Sequence, residues 1–124
     1  MAQALLSRRL LETRPPARDV AYALRRLRAS RGAVRIQTLA AEVGWSRRHL
    51  ASRFHADVGL APKAVARLAR VEHAATLVRA GRPLADVAYP AGYADQPHFN
   101  REFRALVGCA PGEFPFVQDA APAG

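Results

Sequence analysis

The sequence predicts an all-α protein in which two small helical lobes are joined by a long connecting helix, and three observations carry that expectation. The first is a block that occurs twice. One copy runs Gly44-Trp45-Ser46-Arg47-Arg48-His49-Leu50-Ala51-Ser52-Arg53-Phe54, followed by Gly59 and Pro62. The other runs Gly92-Tyr93-Ala94-Asp95-Gln96-Pro97-His98-Phe99-Asn100-Arg101-Glu102-Phe103, followed by Gly108 and Pro111. His49 and His98, Leu50 and Phe99, Phe54 and Phe103, Gly59 and Gly108, and Pro62 and Pro111 keep one constant offset, with a single extra residue after Gly92. The second observation is that apolar residues recur at helical spacing in a short stretch before each turn glycine and a longer one after it. The third is that no segment alternates with the period of two that a half-buried strand requires. Short helix, glycine turn and longer helix make the layout of a helix-turn-helix, and two in tandem point to a protein that reads two adjacent stretches of DNA groove.

Along the chain, residues 4–12 are a short amphipathic candidate, with Leu5, Leu6, Leu10 and Leu11 set against Ser7, Arg8 and Arg9. Arg14-Pro15-Pro16-Ala17 breaks it, because Pro-Pro disfavours helix before it and removes donors. Asp19 is the expected cap of a helix to about Ser30 that buries Val20, Leu24 and Leu27, and Gly32 stops it. A helix from Ile36 to Val43 turns at Gly44. Ser46 caps the next, whose inner face is expected to carry His49, Leu50 and Phe54. Pro62 opens the connecting helix to Arg79, with Val65, Leu68, Ala69, Glu72, Ala75 and Leu77 near helical spacing. After Gly81-Arg82-Pro83, Leu84, Val87 and Ala88 restart the pattern, and Gln96 to Val107 forms the last helix, burying Phe99, Phe103 and Leu106. The organisation is therefore a leader or linker remnant (1–18), a first lobe (19–61), a connecting helix (62–79), a second lobe (80–114) and a tail (115–124), a homeodomain-like tandem.

Composition agrees with this reading. The chain has 124 residues, half of them hydrophobic, which suits one compact domain's worth of core. Its formal net charge of +9 points to a polyanionic partner. Lys63 is the one lysine. Arginine's planar fork suits phosphate and the guanine edge better than an ammonium does, although a GC-rich genome would favour the same choice. Cys109 is the sole cysteine, so neither an intrachain disulfide nor a zinc framework can form, in keeping with a reducing, cytoplasmic and nucleoid-associated setting. No run approaches the roughly 18 apolar residues of a membrane span, and the first residues lack the apolar stretch of a secretory signal.

These residues resemble the DNA-binding domain of the AraC/XylS family of bacterial transcription regulators. The resemblance runs from about Asp19 to Phe114. It rests on Asp86-Val87-Ala88, Gly92 to Phe99, Arg101-Glu102-Phe103, Gly108 and Pro111-Gly112-Glu113-Phe114. In the first lobe it rests on Leu39-Ala40, Gly44-Trp45-Ser46, His49-Leu50, Phe54 and Gly59. It implies two helix-turn-helix lobes on a rigid helix, with both recognition helices entering successive major-groove segments on one DNA face. Two departures bear on that. Pro90 sits in the turn before Gly92, where it removes a backbone hydrogen bond and kinks the helix. Pro115 stands where many relatives carry a basic residue that would meet a phosphate. Only about eighteen residues precede Asp19, too few for the effector domain most members carry, so the chain is either a stand-alone regulator or a fragment of a larger one.

Seven residues are expected at the DNA: Ser46, Arg47, Arg48 and Ser52 in the first lobe, and Gln96, Asn100 and Arg101 in the second. Arg48 can fork onto guanine O6 and N7, while Gln96 and Asn100 can pair with adenine N6 and N7. Ser46 and Arg47 sit where a helix start suits a phosphate. The plainer alternative is a solvated basic face with Ser46 as a cap. His49 and His98 recur at one position of the repeat, which suits packing more than metal ligation. Trp45 and Tyr93 are expected to plug each lobe's core, and Cys109 to fill space.

Double-stranded DNA is thus the expected partner, with RNA polymerase a further candidate and the chain a monomer or weak dimer. No nucleophile–base set, metal cluster or cofactor loop is recognisable, so neither an enzyme activity nor a cofactor is expected. The competing readings are an interaction protein acting through the Leu5–Leu11 segment, a nonspecific basic DNA binder, and a basic protein on anionic membrane.

Overall fold

A computed structural model of the chain describes residues 17–114. Every regular element among them is helical: α1 (Arg18–Ala29), α2 (Ile36–Val43), α3 (Arg47–Val58), α4 (Pro62–Arg79), a 3-10 turn (Leu84–Asp86) and α5 (Gln96–Val107). The chain divides into two compact units between Ala69 and Arg70, inside α4. The leucine segment before Pro15 and the tail from Pro115 lie outside the described residues.

The first unit packs Val20, Ala23, Leu24 and Leu27 of α1 against Leu39 and Ala40 of α2, Leu50, Phe54 and Val58 of α3, and Val65 and Ala66 of α4. Trp45 and Leu60 close its margin, half-buried. Phe54 and Leu27 are fully buried, each worth about 1.5–3 kcal/mol relative to exposure. Asp19 is not the cap the sequence suggested: α1 starts two residues earlier, Ala17 takes the cap position, and Asp19 falls in the first turn, where its charge still meets the positive helix end. The Ala17 N–H is satisfied instead by Asp57 of α3, at 2.8 Å from Oδ2. Across α1 and α2, Arg26 reaches both carboxylate oxygens of Glu42 at 3.0 and 3.1 Å, and the Tyr22 hydroxyl donates to Glu42 at 2.9 Å. The Arg26 bond, then the Tyr22 bond, hold the Glu42 carboxyl below its ordinary range. The loop after α1 passes so close to α4 that a β-carbon on Gly32 would lie 2.1 Å from the Ala66 carbonyl oxygen.

The second unit is organised around aromatic rings. Val71, Ala74 and Val78 of α4 meet Val87, Ala88, Ala91 and Tyr93, and Phe99 and Phe103 of α5. Phe103 stacks edge-to-face on Phe99 and on Phe114, with centroids 5.6 and 5.3 Å apart. The helix expected to restart at Leu84 does not form as an α-helix. Its place is taken by the 3-10 turn and successive turns from Val87 to Gly92. Pro90 is the physical reason, since it has no N–H to donate and disfavours helical backbone at Tyr89. The chain still closes by Ala91 N–H to Val87 O (3.0 Å) and Tyr93 N–H to Ala88 O (2.9 Å). Leu106 is also not buried as expected, at 38 % exposure; Val107, one position on, packs against the core instead.

Candidate nucleic-acid interface

Each unit presents one helix whose start is fixed by the same device. Gly44 adopts left-handed backbone (φ +76°), which lets the chain reverse after α2. Ser46 then caps α3, its hydroxyl accepting the His49 N–H at 3.0 Å. In the second unit Asp95 does this for α5, accepting the His98 N–H at 2.8 Å. Both helices end at a left-handed glycine, Gly59 and Gly108. The sequence reading identified Ser46 as a cap but not Asp95, although Asp three residues before His98 matches Ser46 before His49.

At about 100° per residue, the positions of the seven candidates around their helices follow directly. Leu50 and Phe54 define the buried side of α3, and Phe99 and Phe103 that of α5. Ser52 and Arg101, which occupy equivalent places, point most directly away from those sides, and Arg48 lies close to Ser52, one turn before it. Asn100 flanks Arg101. Arg47 and Gln96 lie nearer the buried side, but at the first helical position, where a side chain extends past the helix end. All seven, Ser46 included, are exposed. Arg104, three residues beyond Arg101 and four beyond Asn100, is exposed on the same side and was not among the candidates. Its helical spacing from those two was the available signal.

The charge at the start of α3 is unusual for a helix by itself. Arg47 and Arg48 sit at the positive end of the macrodipole, and no acidic residue occupies the first turn. Such cations cost an isolated helix about 0.3–1 kcal/mol each, a term that an anion at the same end reverses.

The histidines differ from expectation in one respect. His49 is exposed rather than on the inner face, its ring set edge-on to Trp45 at 4.6 Å. His98 repeats that contact with Tyr93 at 5.1 Å and is partly buried. Tyr93 is buried in its core, as expected, and Trp45 is half-buried against the other. Among the described residues, no three His, Cys, Asp or Glu converge as a metal site would require, and no helix is long and apolar enough to cross a membrane.

A family model described as a helix-turn-helix domain matches residues 39–115. No curated protein matches the chain in sequence. Among solved structures, the chain is similar to the C-terminal domain of AraT, a response regulator from Geobacillus stearothermophilus (TM-score 0.76, 20% identity, 85% of this chain and 88% of that one). It is also similar to a transcriptional regulator with an AraC-type DNA-binding domain from Chromobacterium violaceum (TM-score 0.74, 23% identity, 85% and 95%). A third likeness is to the DNA-binding domain of AdpA, a global transcriptional factor, in complex with a target DNA (TM-score 0.68, 28% identity, 87% and 96%). The family and fold are those of regulator DNA-binding domains rather than enzymes.

Proposed function

The chain belongs to the helix-turn-helix family of AraC-type DNA-binding domains, and from that premise we propose that it is a transcription regulator binding double-stranded DNA by sequence, with α3 and α5 as recognition helices for two adjacent major-groove segments. The observation that carries this reading is the duplication of one exposed, capped helix whose outward side is cationic or amide-bearing in both units. The cations at the start of α3 support it further, since a backbone phosphate there would turn their unfavourable placement into a favourable one. Phosphate neutralisation supplies most of the affinity, and base edges supply the specificity. Arg48 suits guanine, Asn100 and Gln96 suit adenine, and Arg101 suits guanine or phosphate. Two recognition helices of different sequence call for an asymmetric site whose halves lie about one DNA turn, roughly 34 Å, apart.

The test is selection of bound sites from a random duplex library with the 124-residue chain at near-physiological salt. One enriched asymmetric motif across two groove segments is expected. Binding that weakens with salt but enriches no motif would reduce the protein to a nonspecific polyanion binder. RNA polymerase remains a partner to be sought only once an operator is in hand, by whether the bound chain raises transcription from it.

A further inference from the structure

We propose that Glu102 is the positioning residue of the second recognition helix, its buried carboxylate holding α5 in one rotation about its axis through Arg70 of α4 and His98 of its own first turn. This rests on the reading of α5 as a base-reading helix. Glu102 lies on α5 between its core side and its outward side, and its side chain is only 6% exposed. Arg70 approaches one carboxylate oxygen at 3.6 Å, and the His98 Nε2 approaches the other at 3.4 Å. The Arg70 guanidinium also lies over the Tyr93 ring at 5.4 Å, and that ring meets His98 edge-on at 5.1 Å. Ala94 N–H donates to the His98 Nδ1 at 3.4 Å, which turns Nε2 toward Glu102. Arg70, Glu102, His98 and Tyr93 thus form a closed ring of contacts joining α4, the turn and the start of α5.

The aromatic core, with Phe99 and Phe103 fully buried and stacked edge-to-face, seats α5 by close packing, and the carboxylate adds a charge-specific constraint at its flank. A buried carboxylate is directional, because displacing it from its cation leaves charge uncompensated in low dielectric. The helix radius with side chains is about 5–6 Å, so a roll of about 20° would swing the tips of Asn100 and Arg101 by roughly 2 Å. That exceeds the tolerance of a hydrogen bond to a base edge. The first unit has no counterpart: the equivalent place on α3 holds Arg53, which is exposed. The second unit also carries the weaker support before its turn, a 3-10 turn where the first has α2, and Pro97 where the first recognition helix has Arg48.

The experiment compares the full chain with Glu102→Gln, which keeps the size and removes the charge, by selection from the same random duplex library. Preference for the favoured base should fall by about tenfold in the segment read by α5 and stay within about twofold in the segment read by α3. Amide hydrogen exchange without DNA should quicken in α5 and not in α3. Should Glu102→Gln lose helical circular dichroism, Arg70→Gln replaces it, removing the cation that faces the carboxylate, with the same selective flattening expected. If the unsubstituted chain selects no sequence, the DNA reading itself fails. If it selects one and the variants flatten neither segment, or both alike, the positioning role alone is overturned.

Discussion

Replacing Gly32 by alanine isolates a single steric fact. Gly32 has φ +81°, and an added β-carbon would lie 2.1 Å from the Ala66 oxygen and 3.0 Å from its carbonyl carbon. Both atoms are backbone inside α4, so no side-chain rotation relieves the contact. Gly44 supplies the control within the same unit: its φ is +76°, but a β-carbon there meets nothing within 4 Å. Left-handed backbone costs alanine about 1–2 kcal/mol at either position. At Gly32 the loop must also withdraw from α4 by on the order of 1 Å, and such overpacking adds about 1–3 kcal/mol. Gly32→Ala is therefore expected to cost about 2–5 kcal/mol and Gly44→Ala about 1–2 kcal/mol, a difference of several degrees or more in Tm for a unit of this size. Urea and thermal unfolding followed by circular dichroism measure both. Equal losses for the two variants would refute the close approach of the loop to α4.

Other expectations follow from the same geometry. Ser46→Ala and Asp95→Ala each remove a cap acceptor and should cost about 1 kcal/mol in urea unfolding, with Ser→Gly at 46 costing only a few tenths more than wild type; a neutral Ser46→Ala would mean the hydroxyl bond is not made. The Glu42 carboxyl is held low when folded, so its contribution is present above the unfolded carboxylate range and lost as pH falls through the folded value. Glu42→Gln should flatten the acid limb of stability against pH and leave the neutral-to-basic limb parallel to wild type. An unchanged acid limb would remove the Arg26–Glu42 pair from the account. Arg48→Ala should relax base preference in one segment of the selected site, whereas Arg47→Ala should weaken all sequences alike and lower the salt slope by about 1. The reverse pattern would exchange their roles.

What could be read from the sequence was whatever local chemistry decides. Pro62 opens α4, the glycines at 44, 59 and 108 end α2, α3 and α5, and Gly81 follows α4 closely. Ser46 was recognisable as a cap because its N–H partner lies three residues away. The stretch from Leu84 to Gly92 misled because its apolar spacing is helical while Pro90 denies the hydrogen bond that spacing implies. Asp19 looked like a cap because the residue before the helix, Ala17, has no capping side chain and its backbone finds Asp57, distant in sequence. His49 belongs to the repeat, and Leu50 beside it is buried, yet a helix turns about 100° between them and leaves the imidazole outside. Glu102 was the least legible of all. Nothing local marks a buried carboxylate, since the arginine that justifies its burial lies on another helix.

The two units show where the repeat has been held and where it has diverged. The positions that build each lobe recur with their physics intact: an oxygen that caps the helix, an aromatic ring edge-on to a histidine, a buried phenylalanine at the second turn, and a left-handed glycine at the end. The positions that face outward do not recur. Arg48 stands against Pro97, Ala51 against Asn100 and Ser52 against Arg101. Packing places no demand on these outward residues, and under the proposed function their difference reflects what each face meets. A serine and an arginine pointing the same way from the same scaffold offer different hydrogen-bonding groups to a base pair. The proposed function therefore expects one chain bound through both faces to distinguish the two halves of its site, and a palindromic footprint from a monomer would overturn that expectation.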